Sequence, residues 1–348
     1  MDPSKIDASI FGNVAQTSTD AAYLARHVGL RAGMSNESTA LTLNRLCGSG
    51  FQSVITAAEQ ILLGESNVVL AGGSESMSQA PLSVYGQHAR FGHRLGADLQ
   101  LQDTLWSALT DAHAGIPMGM TAENLAVKYN ISREEADEYG HRSQQAWKAA
   151  QEAGAFDREI TPVELPGKGK GELTVDEHPR PETSLEKMSG LRPVFKKDGT
   201  VTAANASGIG DGAAALVIAS EAALGPGGAL EGATPLVRVV GWGVSGVDPT
   251  EMGIGPCPAV RTALQRTGYS LSDADVVEVN EAFASQYIAV ERELGLDRAK
   301  TNRHGGAIAL AHPLGASGAR ILTHLTHQLS AEGGSDKMGI GAACIGGG

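Results

Sequence analysis

Apolar residues recur every three or four positions after two glycine-rich turns, one in each half of the chain, and this spacing predicts two amphipathic helices. The first turn, residues 44–50, leads into a helix and then into an apolar strand at 67–73. The second turn, residues 312–318, leads into another helix and the short apolar run 338–340. Because one unit of turn, helix and strand recurs, we expect an α/β fold whose two similar halves contribute to one site.

The same patterns place the remaining elements. Strands are predicted at 10–14, 40–46, 236–240 and 276–279, and 213–219 is either a strand or a buried helix end. Helices are predicted through 21–25, 121–129 and 133–153, the first of them capped by Ser18, Thr19 or Asp20. Ser132 is the expected N-cap of the last helix, because acidic residues follow it in the first turn.

Prolines interrupt the regular pattern between about residues 77 and 205, and this segment is predicted to be a loop or lid domain inserted between core strands. On this division the N-terminal half comprises residues 1–76 and is completed by 206–224, and the C-terminal half comprises 225–348. A chain of 348 residues can bury a large core, in two domains or in one duplicated domain.

Composition narrows the class of protein. A hydrophobic fraction of 42% and 45 glycines fit an α/β enzyme with many glycine turns. The formal net charge of −12 argues against nucleic acid as the main partner. Three cysteines do not suggest a disulfide scaffold, so a reducing compartment is expected. We find no apolar run that could span a membrane, no signal or transit pattern at the N-terminus, and no histidine spacing typical of a metal site.

Cys47 is the candidate nucleophile of the first turn. The positive end of the following helix favours a thiolate, so we expect a pKa below the ordinary value of about 8.5. A small cysteine packed behind the turn is the competing interpretation. His312 occupies the corresponding turn of the second half, with a purely structural role as its alternative. Asn280 follows a predicted strand and either acts at the site or caps a helix, Cys344 opens the glycine-rich end, and Cys257 is expected to pack in the core.

Together, Cys47, Asn280, His312 and Cys344 and the segments around them resemble the thiolase family. The matching segments occur in order along nearly the whole chain: 44–53, 73–78, 120–124, 199–208, 280–283, 305–318 and 344–348. Segments 22–30, 78–81 and 117–118 are similar to degradative 3-ketoacyl-CoA thiolases, whereas biosynthetic acetoacetyl-CoA thiolases usually have His-Met at the last of these. The resemblance implies two βαβαβαββ-type halves layered α-β-α-β-α, with the inserted loop domain.

The resemblance also implies an acyltransferase of fatty acid β-oxidation that cleaves 3-ketoacyl-CoA with CoA to acetyl-CoA and a shortened acyl-CoA. His312 would deprotonate Cys47, an acyl-Cys47 intermediate would form, and Cys344 would protonate the enolate of acetyl-CoA. One oxyanion hole would use His312 with a water held by Asn280. The other would use the backbone N–H groups of Cys47 and Gly346.

For CoA, the resemblance points to Ser207 near the pantetheine and Arg180 near the adenine, with Met118 and Phe283 lining the pocket for the reacting end. Each has an ordinary alternative: a helix cap for Ser207, a solvated charge for Arg180, and core packing for the two apolar side chains. The resemblance implies no permanently bound cofactor, CoA as a co-substrate, and a homodimer or homotetramer. It implies the mitochondrial matrix, with the peroxisome and the cytosol as alternatives.

The chain departs from the family pattern at two glycine positions and at both ends. Ala311 precedes His312 where thiolases usually have glycine, and Ala204 stands where a glycine precedes Asn205. Either alanine would strain the backbone if its position requires a positive φ. The family pattern extends beyond both ends, so an inactive fragment that binds acyl-CoA is one alternative. A biosynthetic acetoacetyl-CoA thiolase, a condensing enzyme for acyl carriers and a papain-like cysteine hydrolase are the others.

Overall fold

The computed structural model describes residues 1–165, 167, 169–333 and 336–348. The strands, numbered in chain order, are β1 Ala8–Gly12, β2 Thr39–Leu43, β3 Val68–Glu75, β4 Leu82–Ser83, β5 Gln102–Asp103, β6 Thr110–Asp111, β7 Ile116–Pro117, β8 Val163–Glu164, β9 Glu172–Leu173, β10 Gly212–Ala219, β11 Val276–Val279 and β12 Gly339–Ala342. The α-helices are α1 Leu24–Arg31, α2 Ser49–Leu62, α3 Gly86–Ala89, α4 Thr104–Ala108, α5 Met118–Lys128, α6 Arg133–Glu152, α7 Leu185–Ser189, α8 Glu221–Leu224, α9 Pro256–Thr267, α10 Ala284–Leu294, α11 Ala307–Leu310 and α12 Leu314–Glu332.

The largest sheet has four strands in the order β10-β3-β1-β2. β1 pairs in parallel with β2 and β3, and β10 lies antiparallel to β3. Every residue of β1 is buried, as expected for a parallel strand that is covered on both faces. Ile10 of β1 packs in one core cluster with Ala71 of β3 and Val54 of α2. The strands predicted at 10–14, 40–46 and 67–73 are confirmed with small shifts in their bounds, and 213–219 is a strand.

The second half contains a smaller parallel sheet of β11 and β12. α12 contacts α2, β3 and β10 of the first half as well as β11 and β12 of the second, so it lies between the two sheets. Val276 of β11 packs with Ile321 and Leu325 of α12 in one cluster. The predicted repeat is present in the fold, because α2 and α12 each lead from a turn into a strand that joins a parallel pair.

The segment between the halves contains the two predicted helices as α5 and α6, and Ser132 Oγ accepts a hydrogen bond from Glu135 N at 3.1 Å, as an N-cap does. The same segment contains three short antiparallel pairs: β4 with β5, β6 with β7, and β8 with β9. The division into 1–76, 77–205, 206–224 and 225–348 stays a prediction. In the part of the chain that the structure describes, no helix is long and apolar enough to cross a membrane.

One predicted element is wrong, and the start of another is shifted. Residues 236–240 pair with neither β11 nor β12 and form no strand, and their apolar side chains are 42–55% exposed. A β-branched run becomes a strand only where a neighbouring backbone accepts and donates its hydrogen bonds. The helix predicted through 21–25 begins at Leu24, after a 3-10 turn at Ala21–Tyr23. Asp20 does not cap it, because its carboxylate binds the side chains of Ser18 and His27.

Candidate active site

Cys47 lies in the turn between β2 and α2. Leu46, directly before it, has φ 48°, a left-handed conformation that non-glycine residues rarely adopt. Ser49 holds this turn, because its Oγ accepts a hydrogen bond from Arg45 N at 2.9 Å and donates one to Leu46 O at 2.6 Å. α2 begins at Ser49 with Gly48 as its N-cap, so Cys47 lies at the positive end of the helix, as predicted.

Burial determines the protonation of Cys47, which is only 8% exposed. Burial raises the pKa of the Cys47 thiol to about 11, although the backbone N–H groups of Gly346 and of Cys47 itself donate to the sulfur and lower the pKa. The prediction of a pKa below about 8.5 is therefore wrong, because the loss of water around a thiolate outweighs the helix end and the two donors. Cys47 therefore rests as a neutral thiol.

His312 lies between α11 and α12, and its imidazole is buried with a contact at each ring nitrogen. Nδ1 is 2.6 Å from Ser317 Oγ, and Nε2 is 3.3 Å from Asn280 Nδ2. Ser317 Oγ donates its single proton to Pro313 O at 2.9 Å, so Nδ1 supplies the proton of the Ser317 contact. Nε2 is therefore the unprotonated nitrogen of His312, and it accepts from the Asn280 amide.

The protonation of His312 complements that of Cys47. Burial lowers the pKa of His312 to about 4, and the positive charge of Arg320 is a second, smaller cause. The ring is therefore neutral at pH 7 and able to accept a proton. Leu314, two residues after His312, packs with Cys47 and Met77 in one apolar cluster, which brings the two turns together. The resting site thus combines a neutral thiol with a neutral imidazole.

Asn280 directly follows β11, and its backbone N–H donates to Ala342 O at 2.9 Å. The next helix begins at Ala284 with Phe283 as its N-cap, so the alternative in which Asn280 caps a helix is wrong. Among the described residues, Asn280 Oδ1 is buried without a hydrogen-bond partner. Native structures rarely leave such an acceptor unused, and this one is suited to a donor on a bound molecule.

Cys344 follows β12 and is fully buried. Burial raises the pKa of its thiol, and the neighbouring Cys47 raises it further, so the two sulfurs interact electrostatically. Met118 and Phe283 pack against the apolar cluster that contains Cys344. Cys257 lies in a different core cluster, as expected of a packing residue.

A pocket of ≈ 320 Å³ reaches Cys47 from the surface. Its lining residues come from the two cysteine-bearing segments, α4 to α5, and the start of α12: Leu46, Cys47, Ser107, Ala108, Leu109, Thr110, Asp111, Met118, Leu314, Gly346 and Gly347. A Cβ at position 346 would lie 3.2 Å from Met118 Sδ and 3.3 Å from Leu46 Cδ1. Glycine at this position therefore lets the backbone lie close to Met118 and Leu46.

The residues predicted for CoA lie outside the lining of this pocket, apart from Met118. The Arg180 guanidinium turns back on its own loop, where one nitrogen donates to the carbonyls of Glu177, His178 and Pro179 at 2.7, 2.8 and 2.9 Å. Arg180 N donates to Gln144 Oε1 at 2.8 Å. The role of Arg180 at the adenine stays a prediction.

Ser207 lies in an extended segment beside Phe283, and its backbone N–H donates to Ala282 O at 3.0 Å. Because no helix begins there, the helix-cap alternative for Ser207 is wrong. The Phe283 ring packs edge-on against Phe195 with centroids 6.2 Å apart. Contacts of Ser207 and Phe283 with CoA also stay predictions.

Only one of the two alanines that replace family glycines is strained. Ala311 has φ 71° and ψ 173°, a region that is essentially restricted to glycine. Ala204 is not among the residues with a positive φ. The strained residue directly precedes His312, whose backbone N–H donates to Gly208 O at 3.0 Å.

Three polar residues that support the site were not predicted from the sequence. Ser317 orients His312, as described above. Glu75 and Glu281 are buried carboxylates that hold the backbone on either side of His312. The two glutamates could have been found from the sequence, because each stands at or just after the end of a largely apolar strand. A charge buried there requires several hydrogen-bond donors.

Two family profiles together match nearly the whole chain: "Thiolase, N-terminal domain" matches residues 1–222, and "Thiolase, C-terminal domain" matches residues 233–348. The mitochondrial 3-ketoacyl-CoA thiolase of Homo sapiens is 59% identical over 347 residues, which is 99% of this chain and 85% of the human protein. A probable acetyl-CoA acyltransferase of Staphylococcus aureus is 48% identical over 352 residues, covering 100% of this chain and 86% of that protein.

Solved structures of similar proteins share the fold. The human mitochondrial 3-ketoacyl-CoA thiolase in complex with CoA superposes with a TM-score of 0.94 at 58% identity, covering 99% of this chain and 85% of that one. The acetyl-CoA acetyltransferase of Bacillus anthracis superposes with a TM-score of 0.93 at 46% identity, covering 100% of this chain and 86% of that one.

Proposed function

The chain belongs to the thiolase family, and on that premise we propose which of its residues carry the reaction. It is an acetyl-CoA C-acyltransferase, which cleaves a 3-ketoacyl-CoA with CoA to acetyl-CoA and a shortened acyl-CoA in fatty acid β-oxidation. CoA is a co-substrate, and no permanent cofactor takes part. Two observations support the assignment of residues: a buried, neutral His312 is held by Asn280, and Cys47, whose sulfur accepts from Gly346 N, packs against Leu314 of the His312 turn.

In the first step His312 Nε2 takes the proton of Cys47, and the sulfur attacks the 3-keto carbon of the substrate. The tetrahedral oxyanion forms beside the Gly346 N–H, which already points at Cys47 and is a preorganised donor. Since the Cys47 thiol and the His312 imidazole both start neutral, the imidazolium and the oxyanion appear only as the new S–C bond forms. Covalent attachment divides one difficult carbon–carbon cleavage into two easier steps.

In the second step the bond between C2 and C3 breaks, leaving an acyl-Cys47 and the enolate of acetyl-CoA. The protonated His312 and a water held by Asn280 stabilise the enolate oxygen, and Cys344 gives its proton to the enolate carbon. The high pKa that burial confers on Cys344 keeps this thiol protonated at neutral pH, so it has a proton to give to the enolate carbon.

In the third step a new CoA thiol attacks the acyl-Cys47 and gives its proton to the Cys344 thiolate. Cys47 leaves as a thiolate and recovers its proton from His312, which restores the resting site. Met118 and Phe283 would line the path of the acyl group, Ser207 would contact the pantetheine, and Arg180 would contact the adenine after its side chain leaves the carbonyls that it now binds.

We propose in addition that the chain assembles into a homo-oligomer. Among the residues that the structure describes, β2 pairs only with β1, so it is an edge strand of the larger sheet, and Leu41 on it is 43% exposed. An exposed apolar edge strand next to the Cys47 turn is suited to pairing with a second copy. Light scattering on wild type and Leu41→Lys tests this, with loss of the oligomer expected in the variant. The mitochondrial matrix is the proposed compartment, on the names of relatives such as the human protein.

Mass mapping after incubation with a 3-ketoacyl-CoA in the absence of free CoA tests the proposed chemistry. An acyl adduct is expected on Cys47, and it should disappear when CoA is added. Cys257→Ser serves as the matched control, because Cys257 packs in another core cluster and its replacement should leave the adduct in place. An adduct on another residue, or none, would remove the covalent mechanism. Rates with short and long 3-ketoacyl-CoA substrates separate a degradative enzyme from an acetoacetyl-CoA thiolase.

A further inference from the structure

We propose that two buried carboxylates, Glu75 and Glu281, form a clamp that positions His312 from both sides along the chain. Glu281 Oε2 accepts from Ile308 N at 3.2 Å, four residues before His312. Glu75 Oε2 accepts from Gly315 N at 2.8 Å, three residues after it. The clamp rests on the proposed role of His312 as the base, and neither glutamate touches the substrate, so both are positioning residues.

Glu281 connects Asn280 with the segment that leads into His312. It follows Asn280 directly and is 0% exposed. Four donors surround its carboxylate: Tyr139 Oη at 2.7 Å, Ser143 Oγ at 2.6 Å, Asn302 Nδ2 at 3.1 Å and Ile308 N at 3.2 Å. Ser143 Oγ also accepts from Gly306 N at 3.1 Å, so Ser143 links Glu281 to the start of α11. The two residues predicted to stabilise the enolate therefore share one rigid support.

Glu75 connects the larger sheet with the start of α12. It ends β3 and is 2% exposed. Its four donors are Asn13 Nδ2 at 3.3 Å, Val14 N at 3.0 Å, Ala15 N at 3.0 Å and Gly315 N at 2.8 Å. Since β3 belongs to the first half and α12 to the second, this carboxylate fixes the His312 turn relative to the half that carries Cys47.

The strain at Ala311 explains why such a clamp is required. Ala311 lies between the two anchored positions, Ile308 and Gly315, with a backbone conformation suited to glycine. Strained residues persist only where the surrounding structure holds them in place. If the carboxylates were released, Ala311 would relax toward an ordinary conformation and carry His312 away from Asn280. A carboxylate that only stabilised the fold would have no such link to Ala311.

Steady-state kinetics of Glu75→Gln and Glu281→Gln test the clamp. Glutamine keeps the size of the side chain but replaces one acceptor oxygen with a donor. We expect kcat to fall by about 10- to 100-fold in each variant, with KM for CoA changed by about twofold or less, since the geometry of the base is lost and not the CoA contacts. Glu278→Gln is the matched control: Glu278 is a buried carboxylate of β11 that contacts Gln328, and its replacement should leave kcat nearly unchanged.

Combination with Ala311→Gly separates positioning from general stability. With the strain removed, we expect the loss of kcat in each glutamine variant to shrink to about fivefold or less, because sites that are coupled through a shared backbone shift are not additive. An undiminished loss in the Ala311→Gly background, or an unchanged kcat in the single variants, would overturn the clamp. If a glutamine variant does not fold, Asn13→Ala removes one donor to Glu75 and Ser143→Ala removes one donor to Glu281. Both variants test the clamp in the same way.

An NMR titration of His312 tests the clamp independently of the proposed function. The His312 signal is assigned by its absence in the His312→Gln variant. In both glutamine variants the pKa of His312 should rise from about 4 toward 6.5, because a displaced ring regains water. An unchanged pKa would contradict the clamp. If the wild-type protein forms no acyl-Cys47 while the two glutamine variants show the titration shift, the proposed function is wrong and the clamp is still supported.

Discussion

Gly50 of α2 and Gly318 of α12 lie against each other where the two helices cross. A Cβ on Gly50 would be 2.3 Å from Ala319 N, and a Cβ on Gly318 would be 2.3 Å from Phe51 N. α2 begins two residues after Cys47, and α12 begins two residues after His312. The closeness of this crossing therefore sets the separation between the proposed nucleophile and its base.

Gly318→Ala should destabilise the protein and lower its activity, because the added methyl group meets backbone atoms that cannot move independently. Overpacking of this kind costs about 1–3 kcal/mol of unfolding free energy. Gly190→Ala is a suitable control: Gly190 has φ −75°, and a Cβ there would lie 3.6 Å from its nearest neighbour. Denaturant titration of both variants should show a large loss only at Gly318, and equal stability would contradict the tight crossing.

Ala311→Gly should stabilise the protein. Relief of a strained φ/ψ is worth about 1–3 kcal/mol, and the greater freedom of glycine in the unfolded chain offsets about 0.5–1 kcal/mol of it. The expected net gain in unfolding free energy is about 1 kcal/mol. The same substitution two residues away, Ala309→Gly, lies within α11 and should destabilise instead. A loss of stability at position 311 would mean that Ala311 is not strained.

Alkylation of Cys47 by iodoacetamide should be slow at pH 7 and accelerate as the pH rises toward 11, because burial holds the thiol neutral. The rate should increase about tenfold per pH unit over this range, in proportion to the thiolate fraction. Peptide mapping distinguishes Cys47 from the other cysteines. A fast rate at pH 7 with little pH dependence would indicate that Cys47 rests as a thiolate, as the helix end alone predicts.

Protonation of His312 should make the fold less stable in acid. Its pKa is about 4 in the folded protein against 6.5 for the unperturbed side chain. The unfolded chain therefore binds more protons between these values, and unfolding free energy falls as the pH is lowered from 6.5 through 4. The contribution of this residue is about 3 kcal/mol. Denaturant titrations at several pH values should show that His312→Gln is less acid-sensitive by this amount, and an identical pH dependence would contradict the buried neutral ring.

Cys344→Ser should separate the roles of the two cysteines. Because Cys344 is assigned to proton transfer and not to acyl transfer, the variant should still form acyl-Cys47 from a simple acyl-CoA. Exchange of the α-protons of acetyl-CoA should be about 10²–10⁴-fold slower, the usual contribution of a general acid or base. Equal loss of acylation and exchange, measured by mass mapping and by deuterium incorporation, would show that the roles are assigned wrongly.

Local sequence patterns were sufficient for most of the fold but failed where an element depends on a partner. α2, β3, α5 and α6 follow from spacing and caps that lie within a few residues of one another. Residues 236–240 have the composition of a strand, yet no neighbouring backbone pairs with them in the described structure. Pairing is a property of two segments, so the composition of one could not predict it.

The sequence by itself determined which groups could carry the chemistry, because Cys47, Asn280, His312 and Cys344 each stand at a glycine turn or a strand end whose local pattern is distinctive. Only the tertiary structure decided their chemical state. It buried the thiol of Cys47 and the ring of His312, so that both rest neutral, and it placed Ser317 on Nδ1, which leaves Nε2 unprotonated. Desolvation and hydrogen bonding depend on residues that are far apart in the chain, and these contacts exist only once the two halves have packed together.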